Sequence, residues 1–339
     1  MNRLNACFEA VQSSLFHQIR RFGKRRTILR TDVFRLGMIA ISATRCVFMA
    51  VVIGVLSPLL VSAQEVEFRW KLAKGTKLLS IISQDSQQGE EGVENPVSQK
   101  TEMTQDWEVR ENFGDGTALV VTTLRRAQLN LDIPGAGKIE VDTNKPDDES
   151  AFAKQITKMF RPLIDAECTN SMSVLGKISD VKIPEAALEG FRNTPGGSNI
   201  ETMIKESIEN GSPVFPAQRI APGFNWTQIT ENKTPAGLFS ATNRYTYKGL
   251  VVMEGRKIHE FSVDTQLNFA GENNFGAKIS IPQQSIKGNM LFDNDLGYLV
   301  SSEQTQEMTM LIELPKQKPT KQIHKQTLKT RFLLPSEIK

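Results

Sequence analysis

Few residues of this chain could do chemistry, and their spacing matches none of the common catalytic patterns. His259-Glu260 begins like a zinc-protease motif, but Phe, Ser and Val follow, so the second histidine is missing. Gly135-Ala-Gly-Lys138 looks like a phosphate-loop fragment, yet no glycine stands five residues before Gly137 and no Ser or Thr follows Lys138. Asp293-Asn-Asp-Leu-Gly297 invites a calcium reading. An EF-hand loop starting there would need a glycine near Tyr298 and an acid near Gln304, and both fail. A serine hydrolase would need Gly-x-Ser-x-Gly, which is absent. Cys168 has only His259 and His324 downstream as partners and reads as a buried free thiol. Carboxylate pairs such as Glu90-Glu91 and Asp147-Asp148 sit in polar loops and helix starts. The expectation is therefore a protein that is not an enzyme, with no catalytic residue, no metal and no cofactor.

The elements that carry these residues are mostly strands. In Phe261-Ser-Val-Asp-Thr-Gln-Leu-Asn-Phe269 the odd positions are apolar or Thr and the even ones polar. Leu119, Val121, Ala127, Leu129, Leu131 and Ile133 repeat that period, as do Met103, Trp107 and Val109, and Met308, Met310, Ile312 and Leu314. Such alternation predicts antiparallel strands with one wet and one buried face. Turn chemistry separates them at Asn112–Gly116, Pro134-Gly135, Met253–Gly255 and Asp293–Gly297. Gln84–Gln99 is polar and reads as a mobile loop.

Helical period appears in the middle of the chain. Phe152, Ile156, Met159, Phe160 and Leu163 form one apolar stripe, and Pro162 should end that helix near Arg161. A second helix is predicted over Glu185–Phe191. A third opens on the capping box Ser198-Asn-Ile-Glu201 and runs to Gly211. The fold class expected is α+β: a long curved antiparallel sheet with about three amphipathic helices on one face. Gly75 then Trp107, matched by Gly223 then Trp226, reads as a duplication with halves 65–183 and 213–334 joined by helices over 184–211.

Upstream of all this, Val47–Val61 is a short apolar run after nine Lys or Arg residues, and it ends in Ser62-Ala63-Gln64. It is too short for a spanning helix and is broken by Ser57-Pro58, so it reads as an export signal cleaved between Ala63 and Gln64, with translation starting at Met1, Met38 or Met49. No stable transmembrane span is expected after cleavage, and the destination is the periplasm or the cell exterior. Residues 1–63 hold nine of the 41 Lys and Arg and two of the 38 Asp and Glu, which leaves 32 against 36, a net of −4, in 64–339. The basic balance of the whole chain thus belongs to the leader and argues for no nucleic-acid partner.

One layout resembles a known family. Gly137-Lys-Ile-Glu-Val-Asp-Thr143, the helix at Phe152, Gly176-Lys-Ile-Ser-Asp-Val181 and Phe292-Asp-x-x-x-Gly297 are similar to an uncharacterised family of exported bacterial β-rich proteins. That resemblance implies a signal peptide and a β-rich body and carries over no functional residue. The layout also resembles the lipoprotein-carrier superfamily, which implies a curved sheet over an apolar cavity. The function expected is a non-catalytic envelope protein binding an apolar ligand or an envelope protein; the alternatives are a scaffolding component and, behind it, a hydrolase with an unfamiliar site. Phe152, Ile156, Met159, Phe160, Phe261, Leu267 and Phe269 are the candidates to line a cavity, with ordinary core packing as the alternative for each.

Overall fold

Alternation says which strand face is buried but not what buries it; here the sheet curls and covers much of itself. A computed structural model describes residues 64–135, 137–145, 150–192, 200–234, 237–270, 278–315 and 317–338. The leader, its cleavage point, Asp147–Glu149 and Ser198 lie outside the described residues. The strands are β1 (Lys77–Glu90), β2 (Val97–Asn112), β3 (Thr117–Ile133), β4 (Gly137–Asp142), β5 (Glu167–Ser173) and β6 (Ile178–Lys182). After the helices come β7 (Asn225–Thr234), β8 (Gly237–Met253), β9 (Arg256–Ala270), β10 (Lys278–Asp293), β11 (Tyr298–Glu313) and β12 (Thr320–Leu333). They form one antiparallel sheet in the order β6-β5-β3-β2-β1-β12-β11-β10-β9-β8-β7, with β4 paired to β3. The last strand, β12, lies between β1 and β11, so residues 65–183 and 213–334 share a single sheet.

Three α-helices are described. α1 (Ala151–Phe160) is capped by Ser150, whose side chain accepts from the Ala153 N–H (3.0 Å), and it gives way to a 3-10 turn at Arg161–Leu163, where Pro162 cannot supply an N–H. α2 is Glu185–Arg192 and α3 is Ile200–Glu209. α1 packs on β4 and α2, and α3 packs against both β6 and β7. Those are the two edges of the sheet, so α3 fills the seam where a barrel would otherwise close. Edge strands left bare invite pairing between molecules, and a helix laid over both is one way to blunt them.

An extended segment, Val66–Leu72, runs across one end of the curl as a strap. The Val66 N–H donates to the Ile220 carbonyl, the Trp70 N–H to Val174 in the β5–β6 turn, and the Lys71 N–H to Gly297 in the β10–β11 turn, all at 2.8–2.9 Å. Gly176 and Gly297 are glycines because of this crossing. A Cβ on Gly297 would sit 2.3 Å from Lys71, and one on Gly176 would sit 2.4 Å from the Pro213 carbonyl and 2.7 Å from Trp70 Nε1.

Two strand readings need correction. Gln84–Glu90 and Val97–Gln99 are not loop but strand, hydrogen-bonded to β12 and to each other. Apart from Val97, their inward and outward residues are not apolar, so no hydrophobic period betrays them. In β3 the buried phase changes at Arg125. Gln105 faces Leu124 and Thr104 faces Arg126, which leaves Arg125 as the extra residue of a β-bulge. The continuous core upstream of it therefore takes Ala118, Val120 and Leu124 rather than Leu119, while Val121, which is also buried, lies outside that cluster. Arg125 points away from that core, to Asp106 (2.7 Å) and Asp165 (2.5 Å).

Candidate functional site

The inner face of the sheet divides into three zones along its strands. At the strap end, aromatic rings fill it. Phe68 meets Phe215 (5.5 Å between centroids), Tyr247 (5.1 Å), His259 (4.9 Å) and Phe261 (5.0 Å), and Phe215 meets Phe292 (4.8 Å). Phe261 and Phe292 have no exposed surface. Offset and edge-to-face contacts of this kind add to the area they bury.

The middle zone is polar yet uncharged, and sequence reasoning missed it. On β1, Gln84 lies between Thr101 and Leu328, Ser86 between Gln99 and Gln326, and Gln88 between Val97 and His324. On β11, Gln304 and Gln306 continue the rows opposite Leu328 and Gln326. Gln84, Ser86, Gln99, Thr101, His324 and Gln326 are all buried. Amides bond locally: Gln88 donates to Gln322 (3.1 Å), Gln99 to Thr101 (3.1 Å) and Gln304 to Thr265 (3.3 Å). Burial lowers the His324 pKa, so the ring is neutral and the zone carries no charge. The one available signal was the run of Gln and Ser at even positions, 84, 86 and 88, in the segment read as a loop.

The third zone is the far end of β8–β11. There Phe239, Leu267, Phe269, Ile279, Met310 and Ile312 are half-buried. Registers hold them on the face that carries Tyr247, Phe261 and Met308: Tyr247 faces Phe261, Ala241 faces Leu267, Phe239 faces Phe269, and Ile279 faces Ile312. The Phe239 and Phe269 rings meet edge-on at 4.7 Å. The β9–β10 ladder stops at Thr265–Ile286, and the Gln284 side chain takes over. Its Nε2 donates to the Leu267 carbonyl (2.8 Å) and its Oε1 accepts from the Leu267 N–H (2.7 Å). This amide satisfies the backbone where the strands part and keeps Leu267 on the inner face.

The seven candidates therefore separate. Ile156, Met159 and Phe160 are buried in a continuous core with Leu163 and Phe191, and the Phe160 and Phe191 rings lie 6.5 Å apart. Phe152 is in α1, but its side chain lies outside what is described. Phe261 belongs to the aromatic end. Leu267 and Phe269 share the half-buried end.

Of the chemistry-bearing residues, His259 and Asp293 are engaged structurally. His259 lies on β9 with its Nδ1 2.8 Å from the Tyr247 hydroxyl and Phe68 edge-on, and burial lowers its pKa despite nearby Asp295 and Asp293. The Asp293 carboxylate is filled: Arg256 donates to one oxygen (2.7 and 3.0 Å) and the Leu296 N–H to the other (2.8 Å). Arg256 also donates to the Tyr298 hydroxyl and to Glu337. Burial pushes the Cys168 thiol up to about 11, far from a thiolate at neutral pH. Among the described residues no cluster of His, Cys, Asp and Glu could hold a metal, and no helix is long and apolar enough to cross a membrane.

No protein-family model matches the chain, and no curated protein does. Among solved structures it is similar to one described as lipid–protein interactions in lipovitellin, at TM-score 0.43 and 12% identity over 77% of this chain and 25% of that one. The chain thus spans about a quarter of lipovitellin's length. It is similar to an outer membrane channel from Pseudomonas putida at TM-score 0.21 and 7% identity, over 78% of this chain and 97% of that one. A DUF1329 family protein from Desulfovibrio piger matches at 0.14 and 8% over 79% and 89%. These likenesses are too distant to place the chain in a family or to give it a ligand.

Proposed function

We propose that this is an exported envelope protein that binds an apolar ligand without catalysing a reaction on it, and that the ligand sits on the far end of β8–β11. The observation that carries the reading is the half-exposure of Phe239, Leu267, Phe269, Ile279, Met310 and Ile312 on a face that is otherwise buried. Monomeric proteins rarely leave contiguous apolar surface open without a use for it. The export signal at Val47–Gln64 supplies the compartment in this reading. The protonated, buried Cys168 thiol and the bond between His259 and the Tyr247 hydroxyl fit a non-catalytic role in this reading. Native mass spectrometry of protein purified from the envelope tests the proposal. The expected result is a species heavier by one bound amphiphile. Bare protein that also takes up no long-chain fatty acid on titration overturns it.

A second reading, docking of a partner protein as an envelope scaffold, is favoured by a different feature. At the β8–β9 hairpin tip Leu250, Val252 and Met253 stand exposed, Val252 at 71%. Crosslinking in cells from residue 252 would capture one protein band if this tip docks, and none if it does not.

A further inference from the structure

The strap, both halves of the sheet and the segment after α3 meet around a cavity of about 30 Å³. Trp70 lines it from the strap, Ser80 from β1, Gln105 from β2, Thr330 from β12 and Ser212 from the segment after α3. All five are at least 95% buried. Three polar atoms of this lining, Trp70 Nε1, Gln105 Nε2 and Thr330 Oγ1, have no hydrogen-bond partner within the protein. Buried polar groups are very largely satisfied in native folds, and each one left dry forfeits its full hydration. Three on one small cavity point to an occupant.

Size and chemistry select it. A water molecule needs roughly 10–15 Å³ of such space, so the cavity has room for up to about two and for nothing much larger. Two of the orphans are N–H donors, which a metal ion or an ammonium cannot satisfy because neither accepts a hydrogen bond. An anion could accept from them, but no Lys or Arg lines the cavity, and a buried charge without a counter-charge is strongly disfavoured. Water accepts two hydrogen bonds and donates two, which suits two N–H donors, of Trp70 and Gln105, and two hydroxyl acceptors, of Ser80 and Thr330. We propose that this cavity is a permanent hydration site whose water links the strap to β2 and β12. It is separate from the apolar end of β8–β11, so either can fail without the other.

Thr330→Val tests it, because valine keeps the shape and removes the hydroxyl. A hydrated site predicts an unfolding equilibrium constant raised about tenfold, since the water loses a partner, with Thr330→Ser close to wild type. Oxygen-17 relaxation dispersion should also count fewer long-lived internal waters in Thr330→Val than in wild type. A dry cavity predicts the reverse. Thr330→Val would then be as stable as wild type or more so, because an unpaired hydroxyl has gone, with the water count unchanged. Should Thr330→Val fail to fold, the count in wild type against Trp70→Phe decides: equal counts overturn the proposal, and a loss upholds it.

Discussion

Phe261 and Phe269 sit eight residues apart on the same face of β9, yet the first is wholly buried and the second half-open. The difference is not in the strand. Over Phe261 passes the strap with Phe68, and beside it stand Tyr247 and Phe215. The ring that Phe269 meets, Phe239, lies in the sheet itself. Period-two alternation fixes the face a side chain takes. Whether that face is covered depends on what crosses it, and such crossings come from distant sequence.

The largest test of this contrast is at the strap. Phe68→Ala removes a ring shared by five aromatic neighbours and should cost about 3–5 kcal/mol in urea unfolding. A loss below about 1 kcal/mol would mean the strap does not close this end. Arg256→Met, at the start of β9, leaves the Asp293 carboxylate, beside the turn the strap crosses, buried without its partner and should cost about 3 kcal/mol. Pairing it with Asp293→Asn should recover part of that loss.

Much of this architecture was legible. Alternation in Phe261–Phe269 and the stripe Ile156, Met159, Phe160 gave strands, a helix and an α+β fold, because apolar period reports burial directly. The strap was not legible, since Val66–Leu72 carries the same alternation as a strand but pairs across turns instead of in the sheet. The polar zone was hidden for the opposite reason. Gln84, Ser86 and Gln99 are buried by the curl of the sheet, and their residue types signal loop. Of the proposed cavity residues, Leu267 and Phe269 could not be told from Phe261 by sequence, because all three obey one pattern.

Smaller effects sharpen the comparison through pH. Arg126 holds the Asp142 carboxylate with bonds of 2.6 and 3.0 Å, lowering it to about 2. A folded carboxyl held below its unfolded value gives stability above about pH 4 that is lost as pH falls towards 2. Asp142→Asn should therefore flatten the acid limb and cost about 1–3 kcal/mol at pH 7. His259 and His324 are held neutral by burial, one at the aromatic end and one in the polar zone. Their folded pKa values lie below the unfolded ones, so their stability is complete above about pH 6.5 and falls as pH drops through and below it. His324→Gln should flatten that slope by up to ~1.4 kcal/mol per pH unit. An unchanged profile would mean that the polar zone is open to water.

The central claim is that the open end of β9 binds and the closed core, which holds both Phe261 and Ile156, only packs. Titration of a fluorescent long-chain fatty acid into wild type, Leu267→Gln/Phe269→Gln and Ile156→Val decides it. We predict saturable binding to wild type and to Ile156→Val, with binding lost in the double variant while its free energy of unfolding stays within about 1 kcal/mol of wild type. Undiminished binding by the double variant, or loss of it in Ile156→Val alone, would contradict the account.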